Sequence, residues 1–265
     1  MRFISGRGEP PRAGPTGAGV PAPAGPVTTA PDDTAPSPAG AGTATSARTT
    51  LDPVAFAARL RSARGPDADA DADADERAWQ AMLAAWGLPH TPADARAASA
   101  CAAVLAQRTY CTHGTARLER LLAAGRPVLL QLRAQDGAVW ALLLAGDGSR
   151  VRLQLDQRLV DVDRATLLGA WDGRYAAVWR TPADLVPAPL RGSRGHAVDW
   201  LRERLVREGA ATPAPQGAPF DEALADAVRR FQRDRGLDVD GVAGPETLFT
   251  LSAGDAGPRL ARSLD

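Results

Sequence analysis

The sequence AVRRFQRDRGLDVDGVAGPETL, residues 227–248, determines the fold of the C-terminal part of the chain. Val228 and Phe231 are three residues apart, which places both on one face of a helix. Gly236 is suited to end that helix in a left-handed conformation, and Gly244-Pro245 opens another with proline at its first position. Extended outward, the same pattern predicts three helices, over 195–208, 221–235 and 245–252.

Six apolar residues of the three predicted helices and the turn after the second are expected to form their core. Gln232 lies among them, and a buried amide of this kind requires hydrogen-bond partners from the backbone. Asp240-Gly241 and Gly244 predict a tight turn between the second and third helices. The predicted core residues are Val198, Leu201, Leu205, Val228, Phe231 and Leu237.

The ordered motif set of this segment resembles the peptidoglycan-binding domain 1 family, a three-helix module. The matching motifs are Val198-x-x-Leu201, Phe220-Asp221, Ala227-Val228-x-x-Phe231-Gln232, Gly236-Leu237-x-x-Asp240-Gly241 and Gly244-x-x-Thr247. The resemblance implies binding of peptidoglycan through its stem peptides or its glycan strand. Polar residues near the loops are the predicted ligand contacts: Arg194, Asp240 and Thr247.

The predicted contact at Arg194 has two interpretations. Its guanidinium can pair with a stem-peptide carboxylate through two hydrogen bonds, or it can be a solvated linker residue. Residues 191–265 carry 11 arginines and 12 acidic residues, a net charge of −1. No basic surplus is therefore available here for nucleic acid, and none is predicted as a partner.

The preceding segment, 76–181, changes from helical to strand periodicity and predicts an α+β domain. Trp79, Met82, Leu83 and Trp86 mark one face of a helix that Gly87 ends. Further helices are predicted near 93–107 and 115–123. Strands are then predicted over 127–132, 139–144, 151–155 and 174–180, with a short helix near 163–170 before the last of them.

The chain has two cysteines, Cys101 and Cys111, and three histidines. A thiolate with an imidazole partner would support peptidase chemistry, but Cys111 and His113 are too close in sequence for the usual arrangement. A disulfide between Cys101 and Cys111 is the favoured alternative, and it requires an oxidising compartment. This supply is too small for most zinc sites, and no metal or cofactor is predicted.

The order of elements in 76–181 resembles the C39-like peptidase family, which has a papain-like fold. In that pattern a nucleophilic cysteine opens the first helix, a histidine begins a central strand, and Asp-Pro follows the next strand. Asp73-Ala74-Asp75, Val139 and Asp156-Gln157 stand at the corresponding places. The resemblance therefore implies a degenerate domain with no catalytic residue.

The two segments together resemble the periplasmic half of the general secretion pathway protein A family. The motifs are Trp79-x-x-Met82-Leu83-x-x-Trp86-Gly87, the Cys101–Cys111 spacing, Gly125-Arg126-Pro127-Val128-Leu129 and Leu168-Gly-Ala-Trp171-x-Gly173. The resemblance implies a periplasmic protein that binds peptidoglycan and, with a B-type partner protein, supports assembly of a type II secretion complex.

The remaining segments are predicted to be connections and tails. A Pro/Ala/Gly-rich tail over 1–50 is expected to be disordered. A short helix and an acidic Asp-Ala spacer follow in 51–75, and a linker occupies 182–194. The binding module then covers 195–253, and a tail occupies 254–265.

Composition excludes several classes of function. All 31 basic residues are arginine, so the chain has no lysine for a Walker A loop or a Schiff base. No apolar run is long enough to span a membrane, and the first residues, MRFISGRGEP, lack the apolar region of a signal peptide. Periplasmic localisation is thus implied by the resemblance alone.

Two alternatives to a non-catalytic peptidoglycan-binding role stay open from the sequence. The first is a cell-wall hydrolase or cysteine peptidase that uses Cys101 or Cys111 and is targeted by the C-terminal module. The second is a protein-docking domain with an exposed tryptophan-rich surface, although burial in a core is the usual fate of tryptophan. The tryptophans concerned are Trp79, Trp86, Trp140, Trp171 and Trp179.

Overall fold

The computed structural model describes residues 49–64, 67–101, 108–181, 185 and 188–264. The predicted disordered tail over 1–50 lies almost entirely outside these residues. Seven strands form one mixed sheet in the order β1-β6-β5-β4-β3-β7-β2, in which only β1 and β6 are parallel. The strands are β1 Thr50–Leu51, β2 Thr109–Thr115, β3 Val128–Ala134, β4 Gly137–Gly146, β5 Arg150–Leu155, β6 Arg158–Asp163 and β7 Trp171–Arg180.

Eight α-helices accompany the sheet in the described part of the chain. Those of the first domain are α1 Pro53–Ala63, α2 Ala68–Ala85, α3 Pro92–Ser99, α4 Leu118–Ala124 and α5 Arg164–Ala170. Those of the C-terminal module are α6 His196–Arg207, α7 Glu222–Arg235 and α8 Pro245–Leu251. The α+β class is confirmed, and the module's three helices match their predicted bounds to within about a residue at each end.

The sheet is covered on both faces because its strands alternate apolar side chains to each side. Leu129 of β3 packs with Trp79 and Met82 of α2, whereas Val128 and Leu130 belong to the core on the opposite face. That second core is continuous with the helices of the C-terminal module. The module and the sheet domain therefore share one hydrophobic core.

The prediction of an acidic spacer ending at residue 75 is wrong, because the Asp-Ala run forms the first turns of α2. Asp67 caps the helix by accepting a hydrogen bond from the Ala70 amide at 2.9 Å. Asp69 and Asp71 lie in the first turn, where a negative charge interacts favourably with the helix dipole. The alternating alanines are the strongest helix formers, and Ala74 is buried.

The first domain also begins earlier than residue 76. β1 pairs with β6, and Phe56 and Leu60 of α1 are buried in the core beneath the sheet. Three strands, β1, β2 and β6, were not predicted, and α3 ends at Ser99 rather than continuing to 107. Residues 102–107 of that predicted helix lie outside the described part.

The C-terminal tail is bound rather than free. Ala261 forms a parallel bridge to Ala145 at the end of β4, and its amide donates to the Leu144 carbonyl at 3.0 Å. The Leu264 side chain is buried, and its carbonyl accepts a hydrogen bond from Arg152. No described helix has the length and apolar character needed to cross a membrane.

Candidate functional site

The loop between α7 and α8 is organised around the buried amide of Gln232. Its Nε2 donates to Asp240 Oδ1 at 2.7 Å, to the Val242 carbonyl at 3.0 Å and to Thr247 Oγ1 at 3.2 Å. Its Oε1 accepts from the Gly241 amide at 2.9 Å. The predicted backbone partners of Gln232 are confirmed, and one side chain thereby fixes the whole turn.

The three predicted ligand contacts have different surroundings. Thr247 is buried and committed to Gln232, so it supports the loop from below. Asp240 is exposed, but one carboxylate oxygen is shared by Gln232 and the Val242 amide. Arg194 is exposed and donates to the Gly217 carbonyl, in a different loop, at 3.1 Å. The structure therefore joins Asp240 and Thr247 in one network that does not include Arg194.

Two exposed valines flank this network and were not identified from the sequence. Val239 and Val242 are 46% and 43% exposed on either side of Asp240-Gly241. Side chains exposed to this extent on the loop are accessible to a ligand and contribute little to the core. In the sequence, their position on either side of the predicted Asp240-Gly241 turn was the signal that could have identified them.

The positions that resemble a peptidase site hold no catalytic pair in this structure. Val139 is buried. The exposed Asp156 forms an ion pair with Arg77 of α2, with 2.9 Å between Asp156 Oδ1 and Arg77 Nε. Asp75 lies in the second turn of α2 rather than at its start. Burial and the neighbouring charge of Asp71 raise the pKa of Asp75 to about 6. The Arg77–Asp156 ion pair connects α2 to the turn after β5, and none of these residues supplies a nucleophile.

The two cysteines are joined to each other. Cys101 and Cys111 form a disulfide with their Cα atoms 5.4 Å apart, which lies within the normal range for this bond. His113 lies beside it, between the rings of Trp79 and Trp140, with ring centroids 5.9 and 6.1 Å away. Burial lowers the pKa of His113, which favours its neutral form.

The tryptophans do not form an exposed docking surface. Trp79, Trp86, Trp171 and Trp179 are all buried, and only Trp140 is half-buried. Within the described residues, no group of three or more His, Cys, Asp or Glu side chains is placed to hold a metal ion.

The C-terminal module is attached to the sheet domain by polar contacts centred on Glu246 of α8. The Tyr175 hydroxyl donates to Glu246 Oε1 at 3.1 Å, and Arg120 lies 3.4 Å from Oε2. Gly114 of β2 makes room for this carboxylate, because a Cβ there would lie 1.9 Å from Oε1. Burial and the charge of Glu246 raise the pKa of Tyr175, so its hydroxyl stays a donor.

A second attachment is made by Arg126, which is 2% exposed. Its guanidinium donates to the carbonyls of Ser252, Asp255 and Pro258, all of which follow α8. It also lies over the ring of Trp86, 5.5 Å from the centroid. Burial lowers the pKa of Arg126 to about 10, and it therefore remains charged at neutral pH. The domains are thus joined by buried polar contacts as well as by apolar packing.

The fold and the site define a two-part protein: an α+β domain whose two cysteines are bonded to each other, and a three-helix module built onto it. Residues 70–181 match the family model described as "GspA, peptidase C39-like domain". Residues 194–251 match the one described as "Putative peptidoglycan binding domain". Two consecutive parts of the chain are therefore similar to these two domain families, in that order.

Whole proteins give similar matches. The chain is 32% identical over 153 residues to "General secretion pathway protein A" of Aeromonas hydrophila, covering 57% of this chain and 28% of that protein. It is 23% identical over 177 residues to "Putative general secretion pathway protein A" of Escherichia coli (strain K12), covering 67% and 35%. The chain thus spans about a third of the length of these curated relatives.

A solved structure is also similar. It is the periplasmic domain of the EpsAB fusion protein of the Vibrio vulnificus type II secretion system, with 23% identity and a TM-score of 0.45. The match covers 69% of this chain and 79% of that one.

Proposed function

We propose that this chain is a non-catalytic, peptidoglycan-binding envelope protein that supports assembly of a type II secretion complex. The observation that carries the proposal is the intact C-terminal module, whose core and Gln232-centred turn hold the binding-domain motifs in a fixed arrangement. Val239, Asp240 and Val242 are exposed on that turn, and a ligand can reach them.

A periplasmic location and a B-type partner protein belong to the same proposal. The names of the relatives support the secretion role, because both curated matches are general secretion pathway A proteins. The Cys101–Cys111 disulfide supports an oxidising compartment such as the periplasm. The partner rests on the family resemblance.

The absence of catalysis is supported by the chemistry of the peptidase-like domain. A cysteine peptidase requires a free thiolate with an imidazole to activate it. The chain's two cysteines are bonded to each other, and the buried Val139 stands where the family resemblance expects the catalytic histidine.

Co-sedimentation of the full chain with purified peptidoglycan sacculi tests the binding role. The full chain is the suitable form because the module shares its core with the sheet domain. We expect retention on sacculi, reduced for Arg194→Ala and Asp240→Ala. Arg158→Ala is the matched control, since Arg158 is exposed on β6 of the other domain. Absence of wild-type retention above a protein with no wall affinity would overturn the proposal.

The enzymatic alternative, a cell-wall hydrolase or cysteine peptidase, predicts a different result. It requires release of soluble fragments from sacculi or a peptide, dependent on reductant to free the thiols. We expect no release with or without dithiothreitol. Release that the Cys101→Ala or Cys111→Ala variant abolishes would favour the alternative over the binding role.

A further inference from the structure

A polar cleft lies between the two domains. One wall consists of the end of β2, the start of α4 and the start of β7, and the other of the end of α7 and the start of α8. Its volume is about 820 Å³, within the range of about 300–1,000 Å³ typical of ligand cavities. Because residues of both domains form it, neither domain alone contains this site.

Three basic and three acidic side chains line the cleft. They are Arg117, Arg120, Arg235, Asp172, Asp238 and Glu246. Four of them are already engaged within the protein: Glu246 with Arg120 and Tyr175, Arg235 with Glu208, and Asp172 with Arg174. Each of these charges is therefore balanced within the protein, and the Arg120–Glu246 pair connects the two walls.

The other two charged groups have no such engagement. Arg117 and Asp238 are both exposed, and neither has an ion-pair or side-chain hydrogen-bond partner among the described residues. Arg117 lies on the sheet-domain wall and Asp238 on the module wall. The cleft therefore offers one cation and one anion to a ligand that lies between the two domains.

The rigid frame of the cleft reduces the entropic cost of binding. Gly173 adopts φ +98° beside Ala116, whose amide donates to the Gly173 carbonyl at 2.9 Å. A Cβ at Gly173 would lie 3.0 Å from the Ala116 carbonyl oxygen. Arg120 of α4 donates to the Gly236 carbonyl on the opposite wall at 3.4 Å, which connects the two domains directly.

We propose that this cleft binds the stem peptide of peptidoglycan at its diamino acid residue. A carboxylate of that residue pairs with Arg117, and its ammonium group pairs with Asp238. The inference rests on the proposed wall-binding function. It specifies which part of peptidoglycan is bound and adds the sheet domain to the binding site.

Charge and lining favour the stem peptide over the glycan strand. A ligand that carries both a carboxylate and an ammonium group satisfies both unengaged side chains, whereas a neutral sugar satisfies neither charge. The described residues lining the cleft include no aromatic ring on which a sugar could stack. A polyanion would meet three carboxylates, and a polycation three guanidinium groups.

Isothermal titration of the full chain with the soluble tripeptide L-alanyl-γ-D-glutamyl-meso-diaminopimelate tests the inference. We expect saturable binding that weakens by about tenfold in Arg117→Ala and in Asp238→Ala, since a charge-assisted pair of about 1.4 kcal/mol corresponds to a factor of ten. The matched controls Arg158→Ala and Asp136→Ala, exposed charges outside the cleft, should bind like the wild type. The same peptide with alanine in place of the diamino acid should bind as weakly as the two cleft variants.

Sacculus co-sedimentation of the same proteins separates the two proposals. If the wild type binds sacculi but the tripeptide neither binds nor competes, the cleft assignment is wrong and the wall-binding function stands. Equal tripeptide affinity in the wild type and both cleft variants would likewise show that the cleft assignment is wrong, without affecting the wall-binding function. If the wild type binds neither sacculi nor tripeptide, both proposals fail.

Discussion

Replacing Asp75 by asparagine should stabilise the protein at neutral pH. Asp75 is a half-buried carboxyl on α2, one turn after Asp71, and no described residue forms an ion pair with it. Burial and the Asp71 charge raise its pKa from 3.8 to about 6. Asparagine has nearly the same shape without the charge, so it removes this cost while keeping the packing.

The magnitude and its pH window follow from linkage. The shift of about two pKa units corresponds to at most about 3 kcal/mol, and solvent screening at a half-buried site reduces this to about 1–2 kcal/mol. Since the folded-state pKa is the higher one, the folded protein holds an extra proton between about pH 4 and pH 6. The stabilising contribution of protonated Asp75 is fully present below about pH 4 and is lost as pH rises through about 6.

Urea unfolding of wild type and Asp75→Asn at pH 3.5, 5 and 7.5 measures the effect. We expect equal stability at pH 3.5 and a gain of about 1–2 kcal/mol for the variant at pH 7.5. Asp73→Asn is the control, because Asp73 is exposed on the same helix and should change stability by less than about 0.5 kcal/mol at each pH. If Asp75→Asn behaves like Asp73→Asn, burial of Asp75 does not destabilise the folded protein.

Three further substitutions test other contacts by urea unfolding. Gly114→Ala should lower the free energy of unfolding by about 1–2 kcal/mol, because the new Cβ displaces the Glu246 carboxylate. Most of this loss should vanish in a Glu246→Ala background, and additive effects of the two substitutions would contradict the contact. Replacing Cys101 and Cys111 by alanine should cost about 2–3 kcal/mol, the entropy of a ten-residue loop, and dithiothreitol should then destabilise the wild type alone. Gln232→Leu should cost about 2–4 kcal/mol and speed hydrogen exchange at the Gly241 amide, which loses its acceptor; unchanged exchange would show that another group orders the turn.

The C-terminal module was predictable because its signals are local. Gly236 and Gly244-Pro245 mark helix ends that depend on backbone conformation alone, and both function as expected. The strands β3, β4 and β5 were likewise predicted from apolar runs separated by Gly-containing turns. In these elements the short-range pattern and the final packing agree.

The Asp-Ala run shows where local reasoning failed. Asp is a poor residue inside a helix, and this property suggested a spacer. The structure places Asp67 at the cap and Asp69 in the first turn, where the same carboxylates are favourable. The helix also depends on a tertiary contact, the Arg64–Asp71 ion pair at 2.9 Å, which sequence spacing does not reveal.

Strand β2 was missed for a different reason. Its sequence, TYCTHGT, does not alternate apolar and polar residues, which is the signal that predicts a strand. Its residues instead contact a disulfide, an aromatic ring and Glu246 of the module. The interdomain cleft was likewise unpredictable, because Arg117 and Asp238 are more than a hundred residues apart and are brought together by tertiary contacts: the shared core and the polar contacts of Glu246 and Arg126.

The bound tail gives the module two mechanical connections to the sheet. The chain enters the module after Leu185, which is buried in the shared core, and returns after α8 to pair with the end of β4 and with Arg126. A pull on the module would therefore be divided between the point where the chain enters it and the point where the chain leaves it. Detaching the module requires breaking the Ala261–Leu144 and Arg126–Pro258 hydrogen bonds as well as separating the shared core.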